Sequence, residues 1–422
     1  MVHLSDEESK ILDGQGGKLR QKALEFIVRY AEVLGADRLC RVSKAHLFCG
    51  AHNYLKAVRS ADMDVIMSEM LFNSPDKLTF DAVGCFCQSD CSPIDHLNWA
   101  KMGCTEEEFL ENERYLDRCL KAGVHLVGSC VPYMTGFIPL KGEHYVTTES
   151  HAVLMMNSLW GACANADGIE ACFCSAVSAR TPLWGMHVPE SRKGNRLFHL
   201  TCKPETVEDW DLVGYAVGLR LPPHSAPILA GNVEGADMTR LKSCFAAMAT
   251  TGGPEICHIV GITPEAPTLT ACLAPSGLED RVEIGQKELA EAREILCDGQ
   301  PGEVDYISLG CPHYTIEQIR EAADFLKGRR IHPGRTLHIW TALPIKAVAD
   351  RCGYTRTIEE AGGSLMVGTC PLVSERWPAG TRAMAFDSAK QAHYIKPLTT
   401  ARVFFGNVSE CLRASISGQW GR

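Results

Sequence analysis

Three cysteines, each at the end of a short apolar run, constrain the fold of this chain more than any other feature. The runs read VHLVGSCVP, DYISLGCPH and SLMVGTCPL, and their cysteines are Cys130, Cys311 and Cys370. A glycine stands one or two residues before each cysteine, with a small hydroxyl residue between them in two of the runs, and a proline stands one or two residues after it. A capping box at Thr315 and Gln318 opens a helix behind the second run. Short apolar runs that alternate with helices predict an α/β fold with parallel strands and crossover helices.

The repeated pattern also predicts where the thiols lie. The carboxyl ends of parallel strands meet at one edge of a sheet, and ligand sites form in the crevice there. Three cysteines at three strand ends can therefore converge. The pattern alone leaves three interpretations open: an iron–sulfur cluster with one iron that lacks a protein sulfur, a zinc site with an open fourth position, and three ordinary core cysteines.

Composition excludes several classes of protein. The chain has 422 residues, of which 45% are hydrophobic and 22% charged, and its net charge is −9. An acidic balance argues against general nucleic-acid or membrane-surface binding, which needs a basic face. No apolar run reaches membrane-spanning length, and the N-terminus lacks a signal-peptide pattern, so we expect a cytoplasmic protein whose 20 cysteines are thiols or metal ligands.

Domain organisation is less sharply indicated. No low-complexity tract or long linker divides the chain, so we expect one multi-lobed body over residues 1–422, with approximate lobes 1–290 and 291–422. No strand-like run is followed by G-x-G-x-x-G and a later acid, which argues against a nicotinamide-dependent oxidoreductase.

Other cysteines allow a second interpretation. Cys85, Cys87 and Cys91 form C-x-C-x3-C, a spacing that a second metal site could use. We instead expect a strand with buried thiols on one face, and we interpret Cys172 and Cys174 in the same way.

Several long motifs occur in a characteristic order. They are GEHYVTTESHAVLMMNSLWGACAN (142–165), ARTPLWGMH (179–187), SLGCPHYT, AGGSLMVGTCPLV and SAKQAHYIKPL (388–398). With them the chain resembles the large catalytic subunit of the aconitase X family over nearly its whole length. The resemblance implies an aconitase-like fold of several Rossmann-like α/β units and an iron–sulfur hydro-lyase (dehydratase). Known family activities dehydrate cis-3-hydroxy-L-proline and mevalonate 5-phosphate.

The resemblance also implies roles for individual residues. Cys130, Cys311 and Cys370 match the cluster ligands, with 2Fe–2S, 3Fe–4S and 4Fe–4S forms all open. Glu149, Ser150 and Lys390 match catalytic or substrate-contacting positions. Further substrate-binding positions are matched by Gly50, Ala51, His52, Asp90 and Cys91.

Two departures from the family pattern bear on the substrate. His52 stands where the family often has serine. Asp90-Cys91 replace Asn-Pro ahead of a stretch in which Asp95 and Trp99 match a helix of the family. A carboxylate at position 90 repels phosphate and favours an ammonium group. We therefore expect cis-3-hydroxy-L-proline or a related hydroxy amino or imino acid, with mevalonate 5-phosphate as the alternative.

A partner is also expected. Nothing in the chain resembles the small swivelling domain of the family, so we expect a separate small subunit, a small-molecule hydroxy acid as substrate, and no nucleic-acid or membrane partner. An alternative of another class is a non-catalytic scaffold or sensor that zinc or a cluster stabilises.

Overall fold

The computed structural model describes residues 2–48, 74, 76–89, 94–223 and 225–421. Its helices, in chain order, are α1 Asp6–Leu12, α2 Lys18–Leu34, α3 Glu106–Lys121, α4 Ser150–Trp160, α5 Ile169–Ser178, α6 Val207–Leu219, α7 Met238–Thr251, α8 Leu269–Cys272, α9 Gln286–Leu296, α10 Ile316–Leu326, α11 Leu343–Cys352, α12 Tyr354–Ala361, α13 Pro371–Ser374, α14 Ala389–Ile395 and α15 Val408–Ser417. Short 3₁₀ helices cover Trp99–Met102, Pro132–Met134, Gly185–His187, Pro189–Arg192 and Lys396–Leu398.

The strands are β1 Leu39–Arg41, β2 Lys44–Phe48, β3 Gly84–Ser89, β4 Val124–His125, β5 Tyr145–Thr147, β6 Arg180–Pro182, β7 Arg196–Leu200, β8 Pro227–Gly231, β9 His258–Ile259, β10 Asp280–Ile284, β11 Gly302–Glu303, β12 Tyr306–Tyr314, β13 Thr336–Thr341, β14 Ser364–Val367, β15 Ala383–Phe386, β16 Arg402–Phe405 and β17 Gln419–Trp420.

Three parallel sheets organise these elements. The first has strand order β4-β3-β2-β5, the second β10-β7-β8-β9 and the third β14-β13-β12-β15-β16. Every pairing within them is parallel. Strands β1 and β6, and strands β11 and β17, form two small antiparallel pairs. The predicted α/β class with parallel strands is confirmed.

Reciprocal capping boxes mark the starts of two helices, α3 and α10. Thr105 and Glu108 form a reciprocal capping box at α3, and Thr315 and Gln318 form one at α10. Each pair satisfies two backbone N–H groups that the first helical turn leaves without a partner.

The strand assignment of Cys172 and Cys174 is wrong, because both lie in α5. The last eight residues of α5 are all buried, so its sequence carries no polar face from which a helical period could be read. By contrast, Cys85 and Cys87 do lie in β3 and are buried.

The first and third sheets meet at their carboxyl edges. Asp95, which follows the predicted substrate segment Asp90–Cys91, is fully buried, and its Oδ2 accepts a hydrogen bond of 2.8 Å from the backbone N–H of Val367 at the end of β14. Its other oxygen accepts from the N–H groups of Leu97 and Asn98, and Trp99 begins a short 3₁₀ helix there. Within the described residues, no helix is long and apolar enough to cross a membrane.

Candidate active site

Glu149 lies at the junction of β5 and α4, on the carboxyl edge of the first sheet. It is the N-cap residue of α4, and its backbone N–H donates to the Thr147 hydroxyl at 3.2 Å. Ser150 is the first residue of that helix and is half-buried. The start of the helix therefore fixes the direction in which both predicted catalytic residues leave the sheet.

A buried ion pair joins the first sheet to the third. The Lys390 ammonium, in the first turn of α14, donates to Glu149 Oε1 at 2.5 Å. Gln88, at the end of β3, donates to the other carboxylate oxygen at 2.5 Å. Nδ1 of His151 lies 3.5 Å from Oε1 and makes no hydrogen bond there, while its Nε2 bonds the Tyr133 hydroxyl at 3.0 Å.

The two charges of the pair support each other. Burial alone would raise the pKa of Glu149, but the positive charge of Lys390, together with His151, lowers it below its ordinary value. Burial would likewise lower the pKa of Lys390, and the negative charge of Glu149 raises it instead. Both groups are therefore ionised at neutral pH.

The three predicted cysteine ligands occupy equivalent places. Cys130 lies five residues beyond the end of β4, and Cys370 is the N-cap residue of α13, three residues beyond β14. Cys311 lies in β12, where the ladder with β13 is interrupted between Leu309 and Tyr314. All three side chains are half-buried.

The backbone conformation explains why a glycine precedes each of the three cysteines. Gly310 has φ of +97°, and a Cβ there would lie 2.3 Å from the backbone oxygen of Trp340 on β13. Gly128 and Gly368 also have positive φ, at +49° and +77°. Only glycine adopts this backbone readily, so the turn that presents each thiol requires it.

The three thiols lie close enough to act on one another electrostatically. Enclosure by the protein raises the pKa of Cys130 to about 12, and the charge of Glu149 adds to that effect. Enclosure also raises the pKa of Cys311, and Cys370 and Cys130 raise it further, while Lys390 opposes them. Enclosure by the protein also raises the pKa of Cys370, although hydrogen bonds from the backbone N–H groups of Val373 and Leu372 partly offset that rise.

His313 connects all three cysteine loops, a role that sequence reasoning missed. Burial lowers its pKa to about 4, so the ring is neutral. Its Nε2–H donates to the Thr369 carbonyl at 3.0 Å, and its Nδ1 accepts from the Ser129 hydroxyl at 3.1 Å. Its backbone N–H donates to the Cys130 sulfur.

Lys242 is a second missed residue, and it lies almost completely buried in α7. Its ammonium donates to the carbonyl oxygens of Pro312 and His313 at 3.0 and 2.7 Å and to Oε1 of Gln318 at 2.9 Å. Burial lowers its pKa to about 8, although the thiols of Cys130 and Cys311 act in the opposite direction. The sequence signal that could have identified Lys242 is the presence of a lysine in a largely apolar helix.

The donor set suits a thiolate-bound group. Three enclosed thiols with raised pKa values are neutral unless a cation replaces their protons, and two buried ammonium groups, Lys390 and Lys242, favour the added negative charge of thiolates. Three thiols at the ends of three strands leave room for a group with one position that lacks a protein ligand.

Five of the predicted substrate residues lie outside the described residues, so their placement stays a prediction. They are Gly50, Ala51, His52, Asp90 and Cys91. The structure thus brings together Glu149, Ser150, Lys390 and the three cysteines.

Comparisons with known proteins cover nearly the whole chain. Sequence models of the aconitase X first, second and third domains match residues 1–190, 194–294 and 304–417. The crystal structure of aconitase X from Thermococcus kodakaraensis in its holo-form superposes with a TM-score of 0.82 at 26% identity, covering 98% of this chain and 100% of that one.

Curated relatives include two kinds of dehydratase. The chain is 30% identical to the phosphomevalonate dehydratase large subunit of Methanothermobacter thermautotrophicus, over 93% of this chain and 94% of that protein. It is 29% identical to the subunit of the same name from Methanocaldococcus jannaschii, over 98% of this chain and 100% of that one. It is 27% identical to the cis-3-hydroxy-L-proline dehydratase of Pseudomonas aeruginosa, over 98% of this chain and 70% of that protein. The chain belongs to the aconitase X family, whose named relatives here are dehydratases.

Proposed function

We propose that this chain is the catalytic large subunit of an iron–sulfur hydro-lyase that eliminates water from a small hydroxy acid. The observation that carries the proposal is the meeting of three thiols with the buried Glu149–Lys390 pair at the joined carboxyl edges of two parallel sheets. Relatives named as dehydratases support the reaction class.

Cys130, Cys311 and Cys370 would hold the cluster. When bound, a cluster iron without a protein ligand supplies a Lewis acid for the departing hydroxyl group. His313 keeps the three loops in register, since it contacts the neighbour of Cys130 on one side and the neighbour of Cys370 on the other.

Lys390 is suited to bind the substrate carboxylate. One of its three N–H donors is directed at Glu149, and an ammonium group can donate to further oxygens. The same positive charge stabilises the negative charge that develops next to the carboxylate as a proton leaves carbon. Glu149 keeps Lys390 charged and oriented.

Elimination also needs a group that takes the proton. Glu149 is ionised at neutral pH, and its depressed pKa makes it a weak base in the resting enzyme. Ser150 presents its hydroxyl at the N-terminus of α4, where the helix dipole favours negative charge. We assign proton transfer to this pair and substrate contacts to the predicted Gly50–His52 and Asp90–Cys91 segments.

Two substrates remain in the proposal, and different observations favour them. Asp90 in place of asparagine favours an ammonium-bearing substrate such as cis-3-hydroxy-L-proline. The higher identities to phosphomevalonate dehydratase large subunits favour mevalonate 5-phosphate. The names of those relatives also support a separate small subunit as partner.

The test is a dehydration assay with anaerobically reconstituted chain, with and without the small subunit, on both substrates. We expect turnover of one substrate, and loss of turnover and of bound iron in Cys311→Ala. Cys297→Ser is the matched control, because Cys297 is also half-buried and lies at the end of α9, and it should keep both. Unchanged iron content in Cys311→Ala would refute the assignment of Cys311 as a cluster ligand. Absence of turnover with both substrates would refute the proposed substrate class.

A further inference from the structure

A second group of metal-binding side chains lies away from the candidate active site. The Sγ of Cys40 and one ring nitrogen each of His144 and His187 lie within 4.8 Å of one another. Within the described ranges, this is the group of three histidine, cysteine or acidic side chains that meets that spacing. A thiol with two imidazoles is a donor set that zinc prefers.

Three separate elements deliver these side chains. Cys40 is the middle residue of β1, where it pairs with Thr181 of β6. His144 directly precedes β5, and His187 ends the short helix Gly185–His187. Because they come from distant parts of the first domain, only the folded chain brings the three together.

A second thiol lies next to this group. His144 pairs with Cys163 in a parallel β-bridge, so their side chains share one face. Cys163 is not among the side chains whose ligand atoms lie within 4.8 Å of one another, so Cys40, His144 and His187 are three protein ligands of a possible four.

The two imidazole rings approach each other through their Nδ1 atoms. Nδ1 of His144 and Nδ1 of His187 lie 3.0 Å apart, and His187 is only 2% exposed. Two nitrogens bound to one tetrahedral zinc lie about 3.3 Å apart, so a shared ion fits the observed separation.

Two arginines near the group are each paired with carboxylates. Arg180 pairs with Glu7 and Glu8, and Arg192 pairs with Glu265. Burial raises the pKa of the Cys40 thiol, and the positive charge of Arg180 acts in the opposite direction, which favours a thiolate there.

We propose that Cys40, His144 and His187 bind one zinc ion in the first domain. Binding of Zn²⁺ displaces one proton from the thiol of Cys40, which becomes a thiolate ligand, and the neutral imidazoles bind without losing a proton. His144 and Glu149 lie at opposite ends of β5, about 16 Å apart at about 3.3 Å per residue. The ion is therefore remote from the substrate, and it connects β1, β5 and the segment that ends the first domain.

The test measures metals in the purified full-length chain after dialysis against a weak chelator. We expect about one zinc per chain in the wild type and in Cys311→Ala, since that variant alters only the other cysteine group. The zinc content of Cys40→Ser and of His187→Gln should fall close to zero per chain, whereas Cys297→Ser should retain its zinc.

Cobalt(II) provides a second, spectroscopic readout. Replacement of zinc by cobalt should give a thiolate-to-cobalt charge-transfer band and the strong visible bands of a tetrahedral site, and Cys40→Ser should lack the charge-transfer band. A folded wild type that retains no zinc and shows no such cobalt spectrum would overturn the proposal. Zinc that persists in both Cys40→Ser and His187→Gln would also overturn it.

Discussion

Lys390→Met should reveal how strongly the buried ion pair holds the first and third sheets together. Glu149 and Lys390 are 7% and 8% exposed, and their charged atoms lie 2.5 Å apart. Removal of one partner of a buried pair leaves an uncompensated charge and costs about 3–5 kcal/mol. A Coulomb energy at an effective dielectric constant near 20 has the same order. Gln88 still donates to the carboxylate, which favours the lower part of that range.

The assay is thermal unfolding of the cluster-free chain at pH 7. The quantity compared is the midpoint temperature of the first transition, because a multidomain chain need not unfold in one step. A loss of about 3–5 kcal/mol corresponds to a fall of roughly 6–20 °C for a domain of about 200 residues. Glu149→Gln/Lys390→Met removes both charges and should recover most of that loss.

The pH dependence gives a second check. In the wild type, the pKa of Glu149 lies below its ordinary value, so its stabilisation is full above that value and is lost only in stronger acid. In Lys390→Met, burial raises the pKa of Glu149 above its ordinary value. As the pH falls through that raised pKa, Glu149 takes up a proton in the folded state, and the folded state gains stability. The difference from wild type should therefore shrink between pH 7 and pH 5. A midpoint within about 1 °C of wild type at pH 7, or additive effects in the double variant, would refute the reasoning.

Three further predictions follow from the site. His313→Ala should weaken retention of iron by about 10–100-fold in a chelator competition, because loss of a supporting hydrogen bond misorients metal ligands; unchanged retention would contradict its role between the loops. The stability of the wild type relative to Lys242→Met should rise by up to about 3 kcal/mol from pH 8 to pH 10.5, because in this range Lys242 is protonated in the unfolded chain but largely deprotonated in the folded one. Denaturant midpoints of both proteins at pH 8 and pH 10.5 measure this change. A stability difference that is the same at both pH values would refute it. Asp90→Asn should tighten binding of mevalonate 5-phosphate, and an unchanged dissociation constant in calorimetry would remove Asp90 from the site.

The sequence predicted the parallel strands and the helix caps because both have local causes. Capping at Thr105 and Thr315 depends on residues three apart, and the glycine before Cys311 is required by one backbone turn. The convergence of three strand ends follows from parallel topology, which alternating helices and strands already imply.

What sequence reasoning missed depends on long-range contacts. His313 and Lys242 gain their roles only when segments 56 to 184 residues apart meet. The position of Lys242 in a largely apolar helix does not by itself show which carbonyl groups it contacts. The helix at Cys172 and Cys174 was missed because burial on all sides removes the periodic signal. The pairing of Cys40 with His144 and His187 likewise needs three distant elements in place.

The most direct test of the central claim is the iron and acid-labile sulfide content of the anaerobically purified wild-type chain, read together with its electron paramagnetic resonance spectrum. The account predicts iron and sulfide in near-stoichiometric amounts of one cluster per chain, with a signal that disappears in Cys311→Ala. Zinc as the only metal, or no iron and sulfide even after anaerobic reconstitution, would contradict it.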